Sequence, residues 1–373
     1  MKLKINEEFN QSANIKVIGL GGGGGNAVNR MVHSDFKGVD FVAINTDVQA
    51  LKASVAHQRL QIGERLTKGL GVGGDPEIGR LAAEESQEEI KQILKNTDMA
   101  FITAGLGGGT GTGGAPVVAE ISRSMGILTV GVFTKPFMFE GKVRAQQAEE
   151  GFKKLKGKVD TLIIIPNQRL FAVIDKNTSV LEAFKEADNI LHRGVQSISD
   201  IITQHGIINV DFADVKTIMK NAGNAFMGVG VASGPDKAKT AAQKAVSSPL
   251  LEDVSMDGAT KVLVNITGGT NLTMYETEQI MTIINSSISP DANIIFGAVF
   301  NEKLEDVVKV TVITAGFAPG KKDSRRREMG SESLNRRRTD RPMDAISTED
   351  IPSQEQMNIP AFLRKKRGHE NGT

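Results

Sequence analysis

The chain has 373 residues, enough for two or three domains and substantial cores. Lys and Arg total 45 against 44 Asp and Glu, so a net charge of +1 selects no nucleic-acid or membrane partner. The absence of cysteine excludes disulfides, thiolate metal sites and thiol nucleophiles, and the absence of tryptophan disfavours aromatic stacking platforms.

Residues 1–13 read as a flexible N-terminal segment without the apolar core of a signal peptide, and no run of 18 apolar residues occurs; a cytosolic chain is expected. Continuous apolar, β-rich runs follow in IKVIGL (15–20), FVAIN (41–45), MAFITAG (99–105), ILTVGVFT (127–134) and TLIIIP (161–166). Such runs suit strands buried on both faces of a parallel sheet. Helical spacing separates them in NAVNRMV (26–32) and PEIGRLAAEESQEEIKQIL (76–94). This alternation predicts an α/β fold, with a parallel-sheet nucleotide-binding domain over 14–178 and ligand at the carboxyl ends of its strands. One long helix is expected over 178–203, capped by Thr178 or Ser179 with Glu182 in its first turn; it defines a central segment, 179–206.

Beyond 206, strand-like VGVAS (229–233), KVLVNIT (261–267), NIIFGAVF (293–300) and VVKVTVITAG (307–316) alternate with only two helical stretches, 236–246 and 274–286. That predicts a smaller α+β domain over 207–318. Residues 319–355 are charged and poor in large apolar residues, as expected of a disordered linker. Its RRR runs at 325–327 and 336–338 are interleaved with acids, which favours a solvated spacer over a nucleic-acid contact. A terminal peptide, 356–373, regains apolar residues in IPAFLRKKR (359–367), where Ile359, Phe362 and Leu363 form an amphipathic turn suited to a partner's groove.

The 40 glycines exceed the roughly 26 of average usage, with clusters at 19–25 and 105–114. Each cluster sits where a strand hands over to a helix, and successive backbone N–H groups there form a concavity for anions. Any Cβ would hold phosphate oxygens away. Thr110 and Thr112 add hydroxyl donors, and Pro116 suits the first turn of the helix that follows. No G-x-x-x-x-G-K-[ST] occurs, so a nucleotide would be held mainly by backbone dipoles. Gly19, Gly21 and Gly24 also match the dinucleotide fingerprint G-x-G-x-x-G, for which Asp40 or Asp47 would be the ribose acid. An NAD(P)-dependent Rossmann-type oxidoreductase is therefore the alternative, with a non-enzymatic nucleic-acid or scaffold protein as a third reading. Asp211 and Asp214, three apart, read by themselves as helix-capping or solvated acids.

GGGTGTG (107–113) resembles the phosphate-loop signature of the tubulin/FtsZ family. NVDFADVKTIM (209–219) resembles that family's synergy loop, TKPFMFEGKVR (134–144) its sugar-contact segment, and IPAFLRKKR its C-terminal tethering peptide. The likeness runs from about residue 14 to 317, with the tail peptide as a separate match. It implies a GTPase that hydrolyses GTP to GDP with Mg²⁺, the metal being held mainly by phosphates and water. It further implies head-to-tail self-assembly into the filaments of a division ring. Gly22, Gly23, Gly24, Gly25 and Asn26 would form the first nucleotide loop, with Asn26 near the base. Gly108, Gly109, Thr110, Gly111, Thr112 and Gly113 would cradle phosphates; Glu140 and Arg144 would meet the sugar side, and Asn167 would join the nucleotide contacts. Phe184 would pack on the base and Asp188 would accept from the guanine N–H groups, selecting GTP over ATP. Asp211 and Asp214, placed with the help of Asn209, would polarise the attacking water on a neighbouring subunit's nucleotide. The implied partners are membrane tethers of the FtsA and ZipA type at 359–367, with division regulators of the MinC, SulA and ZapA type, at midcell in the cytoplasm. Neither nucleic acid nor direct membrane insertion is implied.

Overall fold

The computed structural model describes residues 13–317, apart from 35, 37, 173, 176, 205, 207, 209, 252–255 and 302–303. Nearly all of the expected N-terminal segment, together with Asn209, the linker and the terminal peptide, lies outside the described residues. The first half alternates β1 (Ile15–Leu20), α1 (Gly21–His33), β2 (Val39–Asn45), α2 (Val48–Lys52), β3 (Gln58–Gln61), α3 (Glu64–Thr67), α4 (Pro76–Glu85) and α5 (Gln87–Leu94). It continues with β4 (Met99–Gly105), α6 (Thr110–Ser124), β5 (Leu128–Lys135), α7 (Lys142–Leu155) and β6 (Thr161–Pro166). The six strands are parallel in the order β3-β2-β1-β4-β5-β6. This doubly wound order reverses between β1 and β4, and a crevice opens at their carboxyl ends.

Alternate residues along each strand feed opposite cores, which is why the apolar runs are unbroken. Val17, Phe41, Phe101 and Val130 pack with α1 and with the long helix α8 (Val180–Thr203). Ile18, Val42, Ile102 and Ile164 pack with Ala82 of α4, Ile90 of α5, Val118 of α6 and Leu155 of α7. Edge strand β3, QRLQ, has no apolar run and is half-exposed, so its residues carry little signal of a buried strand. The helix expected over 76–94 is two helices. Ser86 leaves helical geometry between them, and its hydroxyl accepts from the Gly63 amide at 3.1 Å.

Helix α8 begins as expected, at Ser179. The Ser179 hydroxyl accepts from the Glu182 amide and the Glu182 carboxylate accepts from the Ser179 amide, closing both ends of a capping box. After it come α9 (Phe212–Met219), β7 (Gly223–Ser233), α10 (Lys237–Val246), β8 (Lys261–Gly268), α11 (Met274–Asn285), β9 (Asn293–Phe300) and β10 (Val307–Ala315). Helix α9 is a third helix where two were expected. Strand β7 joins the two halves: residues 223–225 pair parallel with β6, while 226–233 pair antiparallel with β10. The sheet continues β7-β10-β8-β9 over a separate core built from Ala241, Val264, Ile266, Ile280 and Val310. The architecture is the expected α/β fold with a mostly parallel sheet.

Candidate functional site

A cleft of about 680 Å³ opens at the carboxyl ends of β1 and β4, where the strand order reverses. Helices α1 and α6 both start in its wall. Neither is closed by a side-chain cap, and neither has an acid in its first turn. By contrast α4, α8, α9 and α11 are capped by Asp75, Ser179, Asp211 and Thr273. Two sets of first-turn N–H groups, each with its positive dipole end, are thus left for an anion.

The bare backbone has two uses. A Cβ on Gly22 or Gly108 would meet nothing within 4 Å, so these glycines keep the cleft itself open. Gly21 has φ +67, a left-handed turn from β1 into α1 that disfavours other residues. Elsewhere the need is helix packing. A Cβ on Gly24 would lie 2.4 Å from the Thr103 carbonyl oxygen, and one on Gly113 only 1.8 Å from that of Pro76. The glycine run at 105–114 therefore seats α6 against α4 as well as lining the cleft. Because α6 already begins at Thr110, Pro116 lies in its second turn rather than the first. Likewise α1 begins within the first glycine cluster, at Gly21, rather than at Asn26.

Twelve of the expected nucleotide contacts line this one cleft: Gly22, Gly23, Asn26, Gly108, Gly109, Thr110, Gly111, Glu140, Arg144, Asn167, Phe184 and Asp188. Gly24, Gly25, Thr112 and Gly113 are not in its wall. The Thr112 hydroxyl instead accepts from the Gly107 amide at 2.8 Å, fixing the bend after β4. Opposite the helix ends, Glu140 accepts from the Phe137 amide at 2.9 Å and from Arg144 Nη1 at 2.7 Å. Phe184 stands edge-on to Phe137, with centroids 5.4 Å apart, yet remains 37% exposed toward the cleft it lines. Asp188 Oδ2 accepts from Arg30 Nε at 3.0 Å; burial pushes the carboxyl pKa up and the Arg30 guanidinium pulls it back. Asn167 is buried at 5% exposure, and its Oδ1 has no partner among the described residues. A buried acceptor facing a cleft calls for a ligand donor, such as a sugar hydroxyl. The uncapped helix ends, the open glycines and this orphaned oxygen together fit a phosphorylated nucleoside.

Apart from Asp47, named only as a ribose acid of the dinucleotide alternative, sequence reasoning missed the other wall, made by Asn45, Thr46, Asp47, Gly71, Val72 and Gly74. A signal was there. KGLGVGGD (68–75) holds four glycines in six residues just ahead of an Asp-Pro helix start, and Gly69, Gly71, Gly73 and Gly74 all have positive φ. The oxidoreductase alternative is not supported. The Asp47 carboxylate accepts from the Gln49 and Ala50 amides as the cap of α2, and exposed Asp40 sits beside His57, outside the cleft. Gly19 and Gly24 serve close packing, a Cβ on Gly19 falling 2.3 Å from the Gly24 carbonyl oxygen. Asp211 and Asp214 are exposed and outside the cleft wall; Asp211 caps α9 by accepting from the Asp214 amide at 2.8 Å.

The description "Tubulin/FtsZ family, GTPase domain" matches residues 14–175, and "FtsZ family, C-terminal domain" matches 223–318. An FtsZ dimer of M. jannaschii, described as empty, is 47% identical with a TM-score of 0.80, covering 83% of this chain and 90% of that one. A point-mutant FtsZ of M. jannaschii is also 47% identical, with a TM-score of 0.79 and coverage of 82% and 92%. CetZ2 from Haloferax volcanii, a GTPγS-bound protofilament, shares the fold at 21% identity, with a TM-score of 0.71 and coverage of 87% and 100%. The chain belongs to the FtsZ family and is a GTPase of the tubulin/FtsZ kind.

Proposed function

We propose that the chain binds GTP and Mg²⁺ in the cleft and polymerises head-to-tail into protofilaments of the cell-division (Z) ring, each cleft being completed by the next subunit's 209–214 loop. One observation carries this reading: the cleft wall offers phosphates two uncapped helix starts, while each of its three described carboxylates already has an oxygen engaged within the protein. Asp47 caps α2, Glu140 holds Arg144 and the Phe137 amide, and Asp188 holds Arg30. Asp211 and Asp214, exposed at the start of α9, are the acids this reading assigns to the attacking water. A top surface meeting a different bottom surface is a heterologous contact, which builds filaments when rotation does not close it. The M. jannaschii dimer and the CetZ2 protofilament support such assembly.

Phosphate oxygens accept from the first-turn N–H groups of α1 and α6 and from the Thr110 hydroxyl. Gly24, Thr112 and Gly113 keep those turns in place, and Gly25 stays within reach of the nucleotide as part of the first loop. Asp188 accepts from the base, Asn26 and Phe184 pack beside it, and Glu140, Arg144 and Asn167 meet the sugar. Mg²⁺, held mainly by phosphate oxygens and water, would supply charge neutralisation there. Asp211, through the oxygen not capping α9, and Asp214 orient the water, with Asn209 steadying the loop; this is the positioning that phosphoryl transfer requires. In this reading residues 14–178, with Phe184 and Asp188 of the central segment 179–206, hold nucleotide, and 207–318 present the activating loop.

No helix among the described residues is long and apolar enough to cross a membrane, and 359–367 would attach the cytoplasmic filament at midcell through FtsA- or ZipA-type tethers. Regulators of the MinC, SulA or ZapA type would act on the same polymer. Deleting 359–373 should spare assembly in solution and abolish capture by tether-coated vesicles. The direct test of the shared site is Asp214→Ala. It should keep GTP affinity, lose turnover by about 100-fold or more, and give filaments that persist by light scattering. Wild-type phosphate release from that variant would overturn the shared site.

A further inference from the structure

Thr46 and Thr110 share a hydrogen bond between their hydroxyls, Oγ1 to Oγ1 at 2.8 Å, and both line the cleft while buried. Thr46 follows β2 and Thr110 opens α6. A hydroxyl has one proton to give and two sites that accept. Ionised phosphate oxygens only accept, so Thr110 can serve a phosphate only by aiming its single proton into the cleft. The bond between the two threonines must then run from Thr46 to Thr110. Without that donor, a threonine at a helix start is free to turn its proton onto a carbonyl of its own chain.

We propose that Thr46 is a positioning residue for phosphate binding: its hydroxyl donates to Thr110 Oγ1 and thereby turns the Thr110 proton toward the nucleotide. The inference rests on the reading that GTP phosphates lie at the start of α6. Thr46 is rigid enough for the task. Its amide donates to Asn45 Oδ1 at 2.9 Å, and its side chain is fully buried. Two residues on, the Val48 amide donates to the Gly69 carbonyl at 3.1 Å. The hydroxyl pair therefore also ties the glycine loop after Thr67 to the first turn of α6. In a chain of hydroxyls each donor polarises the next, so the Thr110 proton becomes a better donor to a charged oxygen.

The test is GTP titration of the full chain as wild type, Thr46→Val, Thr46→Ser, Thr110→Val and the double valine variant. Thr46→Val should weaken GTP binding about tenfold, the scale of one hydrogen bond to a charged group. Thr46→Ser should bind close to wild type because it restores the donor. The double variant should be no weaker than Thr110→Val alone, since Thr46 then has nothing to orient. Wild-type affinity in Thr46→Val, failure of serine to rescue, or losses that multiply in the double variant would each overturn the proposal. If valine prevents folding, Thr46→Ala takes its place under the same criteria. A wild-type chain that ignores GTP would sink the nucleotide reading itself, whereas unchanged affinity in Thr46→Val with a clear loss in Thr110→Val would sink the role of Thr46 alone.

Discussion

In the proposed reading guanine selection rests on Asp188, whose carboxylate has Oδ2 engaged by Arg30 Nε while the residue still lines the cleft. Guanine presents two neighbouring donors, N1–H and the exocyclic amine, and a carboxylate is all acceptor. Asp188→Asn replaces one acceptor with a donor, which opposes the exocyclic amine but suits xanthine, where a carbonyl stands in that place. The variant should bind GTP about tenfold or more weakly, the loss of one charge-assisted bond, while its relative affinity for XTP rises. Competition titrations with both nucleotides decide it; an unchanged GTP-to-XTP ratio would remove Asp188 from base recognition. In the same reading Asn167 would complement this residue on the sugar side, because a buried oxygen without a partner among the described residues is costly until a ligand donor arrives.

Along α8 the environment of each side chain changes with depth, and titration reports it. Burial, aided by the Lys309 and Arg193 charges, pushes the His192 pKa down from 6.5 to about 4. Its Nε2 lies 3.1 Å from the Ser34 hydroxyl and its ring 5.5 Å from that of Phe36. A lowered histidine favours folding above its ordinary pKa, and that stability is lost as pH falls from 6.5 toward 4. Asp200, two turns on, works in the opposite sense: burial raises its pKa from 3.8 to about 6, so the fold gains from its proton as pH drops below 6. His192→Gln keeps a partner for Ser34 and cannot titrate. Relative to wild type, it should gain about 2 kcal/mol of unfolding free energy between pH 7.5 and pH 5, measured by urea titration at both values. A constant difference would place His192 outside the pH response. The start of this helix was legible because Ser179 and Glu182 are local signals. The strands were legible because burial on both faces leaves unbroken apolar runs. The first turns of α1 and α6 were not, since glycine is a poor helix former and only contacts such as Gly24 on Thr103 and Gly113 on Pro76 hold them there. The break at Ser86 answers to Gly63, far away in sequence. In the site, the expected glycine loops and Asp188 come together, whereas Asn45 and Thr46 are ordinary residues at a strand end that topology alone brings to Thr110.

Across the whole molecule, the distance between the cleft and the acids of α9 sets the expected mode of action. From Asp188 at the cleft, α8 continues to Thr203, a rise of roughly 22 Å at 1.5 Å per residue. The chain beyond it does not turn back freely. Ile208 bridges Ala298 of β9, and Val210 lies in the core against the second half before Asp211 caps α9. Acids fixed there serve a neighbour's cleft in the proposed filament, and mixing defective subunits tests this directly. Asp214→Ala keeps a sound cleft but lacks the acid. Gly108→Val keeps the acid but intrudes on the cleft, and its Cβ projects where nothing lies within 4 Å, so the fold should tolerate it, which circular dichroism checks. Each variant alone should be inactive. In an equal mixture, a junction works only when an intact cleft from one meets an intact acid from the other. Random head-to-tail contacts supply that pairing in up to about a quarter of junctions, so phosphate release should recover to at most that share of wild type. If the acids act within their own subunit, no mixing ratio will restore turnover.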